Sequence, residues 1–472
     1  MTGKRLVAVI DQGSSSTKGA VVGRDGRRFD EITHPVALES SGLSVRHDAR
    51  ELAASVRAVL DPLIHRHEVA AIGLTCQRST CLLWDRDSGR PLTPALSWQD
   101  TSQTETIERL SRHADRIAAL TGLRLSPHYA APKLLSLMDS LAGGRKRAEK
   151  GELVAGTLDA HLVRHLTGID GTEPGHAGRT LLYDLERGAW SAELAGIFDI
   201  PTNALPPLHR SCGDWGRYRG VPLTAVAGDQ QAALLGHGGW GEGVTAVHFG
   251  TGAFVLTSTG NRLLRHPNAL TAALASTFTT SGFQIEASVN SAGSAVDWAR
   301  RLGGESLDDW HERNLDADSL PFVLPAFRGV GAPWWRSDAR AVVSGLSLED
   351  SAADLLAGTI AGVAMRVLDC VELLGSVAPT TVLRASGKLT RLTGLTGLLA
   401  DAGQIPVETA DDEEIGLLGI GRLAFAGLTG DERELSKPPP VAVRREPRWN
   451  ASRAEQVRDR WRAFAESALA ID

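Results

Sequence analysis

Short apolar runs separated by glycine- and hydroxyl-rich turns open the chain. Residues 6–10, 17–22 and 29–37 predict three consecutive strands linked as a meander. Asp48 then offers a cap for a helix running to about His65, with Leu52, Val56, Val59, Leu60 and Leu63 on one face. Apolar runs at 69–75 and 81–84 predict two further short strands, so the order is mixed α/β. Residues 102–121 and 131–142 predict helices on an insertion that covers one side of a cleft. The glycine-rich break at 236–243 restarts the strand pattern and opens a second α/β block. Helix 351–375 carries Leu355, Leu356, Ile360, Val363, Val367, Leu368 and Val371, a core-facing pattern. Pro438-Pro439-Pro440 ends the folded pattern, and a charged amphipathic helix over 451–469 closes the chain. The expected division is therefore residues 1–235, residues 236–440 and a helical tail over 441–472.

Both blocks begin with the same kind of turn, which points to an internal duplication. The first is Asp11-Gln12-Gly13-Ser14-Ser15-Ser16-Thr17-Lys18; the second is Phe249-Gly250-Thr251-Gly252-Ala253. Glycine allows a tight turn that presents backbone N–H groups, and the hydroxyls add donors, an arrangement suited to phosphate oxygens. One such turn is ordinarily a hairpin and nothing more. Two of them, each with acidic residues nearby, suggest two half-sites facing one polyphosphate. No GxxxxGK[ST] loop is present and no GxGxxG follows a strand to open a helix, so nucleotide phosphates would have to be held by the paired hairpins.

Composition narrows the class without choosing it. A length of 472 residues allows two or three domains. Hydrophobic content of 42% and charged content of 22% are those of an ordinary globular enzyme. A net charge of −6 with no basic stripe argues against nucleic acid, and no basic cluster flanks an amphipathic helix to suggest a membrane surface. Cys76, Cys81, Cys212 and Cys370 show no CxxC spacing, so reduced thiols are expected rather than disulfides or zinc. The apolar stretch after Arg5 is too short for a signal peptide, and no apolar run is long enough to span a bilayer. A cytoplasmic location is the expectation.

Three further places carry candidate chemistry. Asp229, in Val226-Ala227-Gly228-Asp229-Gln230-Gln231-Ala232, follows an apolar strand and precedes a helix. A carboxylate there could take a proton from a hydroxyl, or it could simply cap the helix. Arg78 could donate several hydrogen bonds to a polyhydroxylated molecule or serve as a surface ion-pair residue. Trp98 could give such a molecule an apolar face or lie in the core.

Taken together, these residues resemble the FGGY carbohydrate kinases, the glycerol kinase and xylulokinase-like branch of the actin-like ATPase superfamily, over roughly residues 5–430. The most specific stretch is Phe327-Arg328-Gly329-Val330-Gly331-Ala332-Pro333-Trp334-Trp335, continuing through Asp338-Ala339-Arg340 to Gly345-Leu346; it is similar to the family's G-x-G-A-P-x-W-x-x-x-A-R pattern. The resemblance implies two actin-like (ribonuclease H-like) α/β domains, each with a mixed sheet, and a cleft between them. It implies ATP-dependent phosphorylation of a hydroxyl on a small sugar or polyol, with Mg²⁺. Asp11 would hold the Mg²⁺ through water, while Ser14, Ser15 and Lys18 meet the terminal phosphates of ATP. Gly250 and Thr251 would meet them from the opposite side. Gly293 and Asp297 fall on the nucleotide channel, and Gly387 on its adenosine side. Asp229 would be the general base, and Arg78, Ser79, Trp98, Tyr129, Gln230 and Phe254 fall on the acceptor pocket. Dimers and tetramers recur in the family, which makes a homodimer an expectation, although no interface is readable here.

Departures from the family pattern qualify that reading. The glycerol kinase motif Gln-Arg-Glu-Thr reads Gln77-Arg78-Ser79-Thr80, and the xylulokinase-like Met-His-Gly is missing too. Serine makes fewer bonds than glutamate and leaves space, so an acceptor larger than glycerol, or one held differently, is expected. Ser386-Gly387-Lys388 replaces the second glycine of a Gly-Gly pair, and Gly394 through Gly397 lack the family's larger side chains. Lys388 motivates an alternative, a catalytically impaired FGGY-like protein that binds sugar or nucleotide. Retention of Asp11, Asp229 and Gly250-Thr251 speaks against it.

Overall fold

The structure is a computed structural model that describes residues 6–471. Strands β1 (Leu6–Gln12), β2 (Ser16–Gly23) and β3 (Arg28–Pro35) form the antiparallel meander expected from the turn residues. Asp48 caps α1 (Ala49–Arg66) by accepting from the Arg50 N–H at 2.8 Å. That helix buries Leu52, Val56, Val59, Leu60 and Leu63 and returns the chain to β4 (Val69–Cys76), parallel to β1. The strand at 81–85 leaves this sheet and joins a smaller one with residues 39–41, 44–47, 95–96 and 153–157. Helix α2 (Ala130–Ser140) packs on that smaller sheet. Strand β5 (Val221–Gly228) pairs parallel with β4 and runs directly into α3 (Asp229–Gly236).

The second half repeats the plan. Its elements are β6 (Val244–Phe249), β7 (Ala253–Ser258), β8 (Leu270–Ser276), β9 (Ser281–Val289), α4 (Gly293–Gly303), α5 (Ala352–Gly375), β10 (Val382–Ser386), α6 (Thr393–Gly403) and β11 (Val407–Ala410). The first sheet runs β3-β2-β1-β4-β5 and the second contains β9-β7-β6-β10-β11. In both, the first two pairings are antiparallel and the last two parallel. Matching order and direction support the duplication inferred from the two turns.

The chain then crosses back. Helix α7 (Ile415–Thr429) leaves the second sheet and lies on the first, sharing a core with Val7, Val9, Ala225 and Ala227 and with Leu234 of α3. At Gly419 the helix touches α3 so closely that a Cβ would collide with the Ala232 carbonyl oxygen. The two halves are therefore stapled by a helix from each.

The three prolines do not end the fold, and residues 441–472 are not only a helical tail. Strand β12 (Val441–Arg445) adds antiparallel to β11, and α8 (Ala451–Leu469) buries Val457, Trp461 and Ala465 in the second core. Proline cannot continue a helix, but it does not prevent the residues after it from forming an edge strand. Helix α5 is core-facing as expected, yet it also buries charge. Asp369 receives Arg366 at 2.8 Å, Arg458 at 2.9 Å and the Trp461 indole at 3.0 Å. The Arg366 guanidinium also lies 4.3 Å above the Trp334 ring, which ties the most family-specific stretch of the sequence to this core. Among the described residues no helix is long and apolar enough to cross a membrane.

Candidate active site

The first hairpin is built from β1 and β2, with Asp11 opposite Lys18 and Gln12 opposite Thr17. Its turn closes through the Gly13 N–H, which donates to Ser16 O at 3.0 Å. Ser14 Oγ accepts from the Trp98 indole at 2.9 Å, so the turn is held against that tryptophan. Ser15 is exposed, and its carbonyl accepts from Val36. The Lys18 ammonium is engaged by Glu414, the residue before α7. The second hairpin sits on the start of α4. Gly250 O accepts from Gly293 N–H at 3.0 Å, and Thr251 O accepts from Ala292 at 2.9 Å and Ser294 at 3.1 Å. Asp297 lies one turn further along α4, half-exposed, with Arg300 at 2.7 Å.

Gly387 closes the same end of the second sheet. Its φ is 94°, and a Cβ would strike the Phe249 carbonyl, so only glycine fits. Lys388, the next residue, is exposed. The space left by Gly394 is occupied as well, because Arg313 O and Leu315 pack against it.

On the acceptor side, Asp229 is the first residue of α3 and does not cap it. Gly228 is the capping residue, and the Asp229 carboxylate accepts from the adjacent Gln230 N–H at 2.8 Å. It points instead toward Arg78, with Nε 3.3 Å from Oδ1. Arg78 is no surface residue: its side chain is 9% exposed, and its other arm reaches Glu286 at 3.1 Å. Burial lowers the pKa of Arg78. Glu286, on β9 of the other half, also pairs with Arg179 and accepts from Gln284 at 2.8 Å. Burial and the neighbouring Arg78 bring Arg179 down to about 9, while a hydrogen bond to Tyr129 works against them. Tyr129 is the buried residue at the start of α2.

Ser79 is buried at φ 63°, a left-handed conformation. The Trp98 N–H is held by Thr80 Oγ1 at 3.0 Å. The buried Lys133 ammonium donates to the carbonyls of Ser97 and His128. Burial lowers Lys133 to about 8. Trp98 itself is 38% exposed, so it is not core. Gln230 buries an amide oxygen without a partner, and Phe254 lies on β7 opposite Ser288 and His248.

The two clusters meet at Asp11. Burial first, then Asp229 and Glu414, raise its pKa to about 7 against the pull of Lys18. Asp11 Oδ1 is buried with no hydrogen-bond partner among the described residues. A Cβ on Gly416 would stand 4.0 Å from both Asp11 Oδ2 and the Asp229 backbone oxygen, so the start of α7 lies against both residues. A divalent cation would satisfy the orphaned oxygen and relieve the repulsion. Among the described residues no three His, Cys, Asp or Glu side chains are grouped to hold a metal unaided. That suits Mg²⁺, which is ordinarily held by one or two carboxylates together with phosphate and water. Glu286, Arg179, Glu414 and Lys133 escaped the sequence reading. Only Glu286 left a signal: Gln284, Glu286 and Ser288 alternate as a polar face within an otherwise apolar strand.

Comparison with known proteins gives the same picture over the whole chain. The N-terminal domain model of the FGGY family of carbohydrate kinases matches residues 6–236, and the C-terminal domain model matches residues 245–428. A glycerol kinase from Listeria welshimeri is 32% identical over 502 aligned positions, covering 99% of this chain and 99% of that protein. A glycerol kinase from Cereibacter sphaeroides is 32% identical, covering 98% and 99%. Among solved structures, Plasmodium falciparum glycerol kinase with ADP superposes with a TM-score of 0.92 over 99% of each chain at 24% identity, a likeness of fold.

Proposed function

The chain belongs to the FGGY family of carbohydrate kinases and phosphorylates a small sugar or polyol with ATP; on that premise we propose that Asp229 is the general base of the transfer. The observation that carries this is the placement of its carboxylate. Asp229 is a third exposed, is held by Arg78 and its own helix, and is near enough to Asp11 to raise that acid. A base in that position takes the proton of the attacking hydroxyl, a contribution of about 10²–10⁴-fold. Arg78 fixes the carboxylate in place.

Asp11, Ser14, Ser15 and Lys18 hold the terminal phosphates from one hairpin, and Gly250 and Thr251 from the other. Lys18 exchanges Glu414 for phosphate when nucleotide enters. Gly293, Asp297 and Gly387 line the nucleotide side. Mg²⁺, when bound beside Asp11, neutralises charge on the phosphoryl oxygens. Trp98, Tyr129, Gln230 and Phe254 surround the acceptor, and closure of the halves keeps water from competing with it.

The acceptor is larger than glycerol. A triol bound where Ser79 replaces a carboxylate loses a partner for its hydroxyls, and each unpaired buried hydroxyl costs about 1–3 kcal/mol. The reading of an impaired binding protein loses its motive, since Lys388 is exposed and leaves the turn at Gly387 intact. Four free, buried cysteines suit a reducing cytoplasm.

Coupled ADP release across glycerol, tetritols, pentitols, ketopentoses and sugar acids tests the assignment. Acceptor-dependent turnover is expected, with a four- or five-carbon acceptor preferred. Equal ADP release with and without acceptor overturns the kinase role, and glycerol as best acceptor overturns the size argument.

A further inference from the structure

A hydrogen-bonded chain of two histidines and a serine leads from the end of α3 into the cleft. His248 on β6 is the register partner of Phe254 on β7 and of Ser386 on β10. Directly paired residues point to the same side of a sheet, so the three side chains share one face. That face is turned toward α3, because Ser386 Oγ lies 3.1 Å from Nε2 of His237, the residue that follows α3. The same oxygen lies 3.1 Å from His248 Nδ1.

The protons in this chain follow from its partners. His237 is buried and, among the described residues, has no partner at Nδ1. A buried N–H without an acceptor is rarer than an acceptor left bare. His237 therefore carries its proton on Nε2 and donates to Ser386 Oγ. The serine has a single proton to give, and it goes to His248 Nδ1. His248 must then hold its own proton on Nε2. Both rings are neutral: burial brings His237 down to about 3 and also lowers His248. The charges facing His248 are Asp229 from α3, Glu414 from the start of α7 and Lys18 from β2. Nε2 has no protein partner among the described residues, and the ring is partly exposed.

We propose that His248 is a further catalytic residue, a neutral Nε2–H donor aimed at an oxygen of the phosphoryl group as it passes between Lys18 and Asp229, with Ser386 and His237 as positioning residues that fix its tautomer. The proposal rests on the kinase reading of the same cleft. A neutral donor suits this place, since it favours developing negative charge on the phosphoryl oxygens without adding a cation that would hold the Asp229 carboxylate. The relay begins at the far end of the helix that starts with Asp229, so a hydrogen bond ties the donor's sheet to the base's helix.

The test uses the full-length protein with ¹⁵N-labelled histidine, together with His248→Phe, His248→Gln and Ser386→Ala. The nitrogen spectra of the wild type should show both histidines neutral and protonated at Nε2, and Mg²⁺ with a non-hydrolysable ATP analogue should shift the His248 Nε2–H signal. Ser386→Ala should leave His248 averaging between tautomers with the melting temperature within a few degrees of wild type. On the best acceptor of the panel, His248→Phe should lower kcat by about 10²-fold, the scale of losing one preorganised donor, with acceptor KM little changed. His248→Gln should recover at least a tenth of the wild-type kcat. An Nδ1-protonated His248, a signal that ignores the nucleotide analogue, or an unchanged kcat in a folded His248→Phe overturns the proposal. A wild type inactive on every acceptor would sink the kinase reading instead, and the nitrogen spectra would still decide whether His248 faces the phosphates.

Discussion

At the scale of single residues, the acceptor side is governed by how charge is shared. Arg78 and Arg179 bring two cations to Glu286, while Arg78 alone reaches Asp229. Removing Glu286 leaves both cations to Asp229. Glu286→Ala should therefore cost about 3–5 kcal/mol of stability by denaturant unfolding, the scale of breaking a buried pair. In the protein that remains folded, kcat/KM should fall, because Arg78 loses the partner that holds its other arm while it positions Asp229. An unchanged kcat/KM would mean Glu286 does not matter to the base.

Ser79→Glu, adding the carboxylate that glycerol kinases carry in this motif, should raise kcat/KM for glycerol relative to the preferred acceptor. No change in that ratio would remove Ser79 from the specificity argument. Asp11 gives a pH signature. It ionises near 7 in the fold against an ordinary 3.8, so between those values the folded chain keeps a proton that the unfolded chain has released. Stability is then lost as pH rises through that window and is not regained above it. Without nucleotide, Asp11→Asn should melt above wild type at pH 8, with the gap closing as pH falls toward 4. Mg²⁺ and ATP should stabilise wild type more than the variant. Thermal melts across pH read both effects, and a gap that widens in acid would contradict them.

At the scale of elements, the order of strands was legible because punctuation is local. Turn residues at 11–18 and 249–253 mark the two meanders, and Asp48 marks the start of α1 without any knowledge of its neighbours. The return of α7 to the first sheet was not legible. Its apolar pattern says that a face is buried but not against which sheet, and the partner is chosen by the fit between Gly419 and Ala232. The same reason hid Glu286, Arg179 and Glu414: each is unremarkable in its own segment and acquires a role only where distant segments meet.

Filling the contact between α7 and α3 is therefore expected to be felt in chemistry as well as stability. Gly419→Val should destabilise by about 1–3 kcal/mol or more, as overpacking does. It should also lower kcat, since α3 carries Asp229. Gly375→Ala, at the open end of α5 where no atom stands within 4 Å of a Cβ, should leave both nearly unchanged. Equal effects at the two sites would mean that the close crossing does not matter.

At the scale of the whole molecule, two copies of one sheet plan contribute one phosphate hairpin each, and α3 and α7 join them. The proposed acceptor pocket is itself divided, with Asp229 and Arg78 on one half and Glu286 and Phe254 on the other. Neither half can bind the acceptor fully alone, so closure should require ligand. Solution scattering should show the radius of gyration falling when a non-hydrolysable ATP analogue and acceptor are both present. A radius indifferent to ligands would indicate a rigid molecule.

The most direct measurement is a single-turnover transfer of labelled γ-phosphate to the preferred acceptor by wild type and Asp229→Asn, with dissociation constants for both substrates measured in parallel. Wild type should label the acceptor, and the variant should do so about 10²–10⁴-fold more slowly while binding both substrates within threefold of wild type. Transfer at the wild-type rate by Asp229→Asn, or a loss explained wholly by weaker binding, would contradict a base at Asp229.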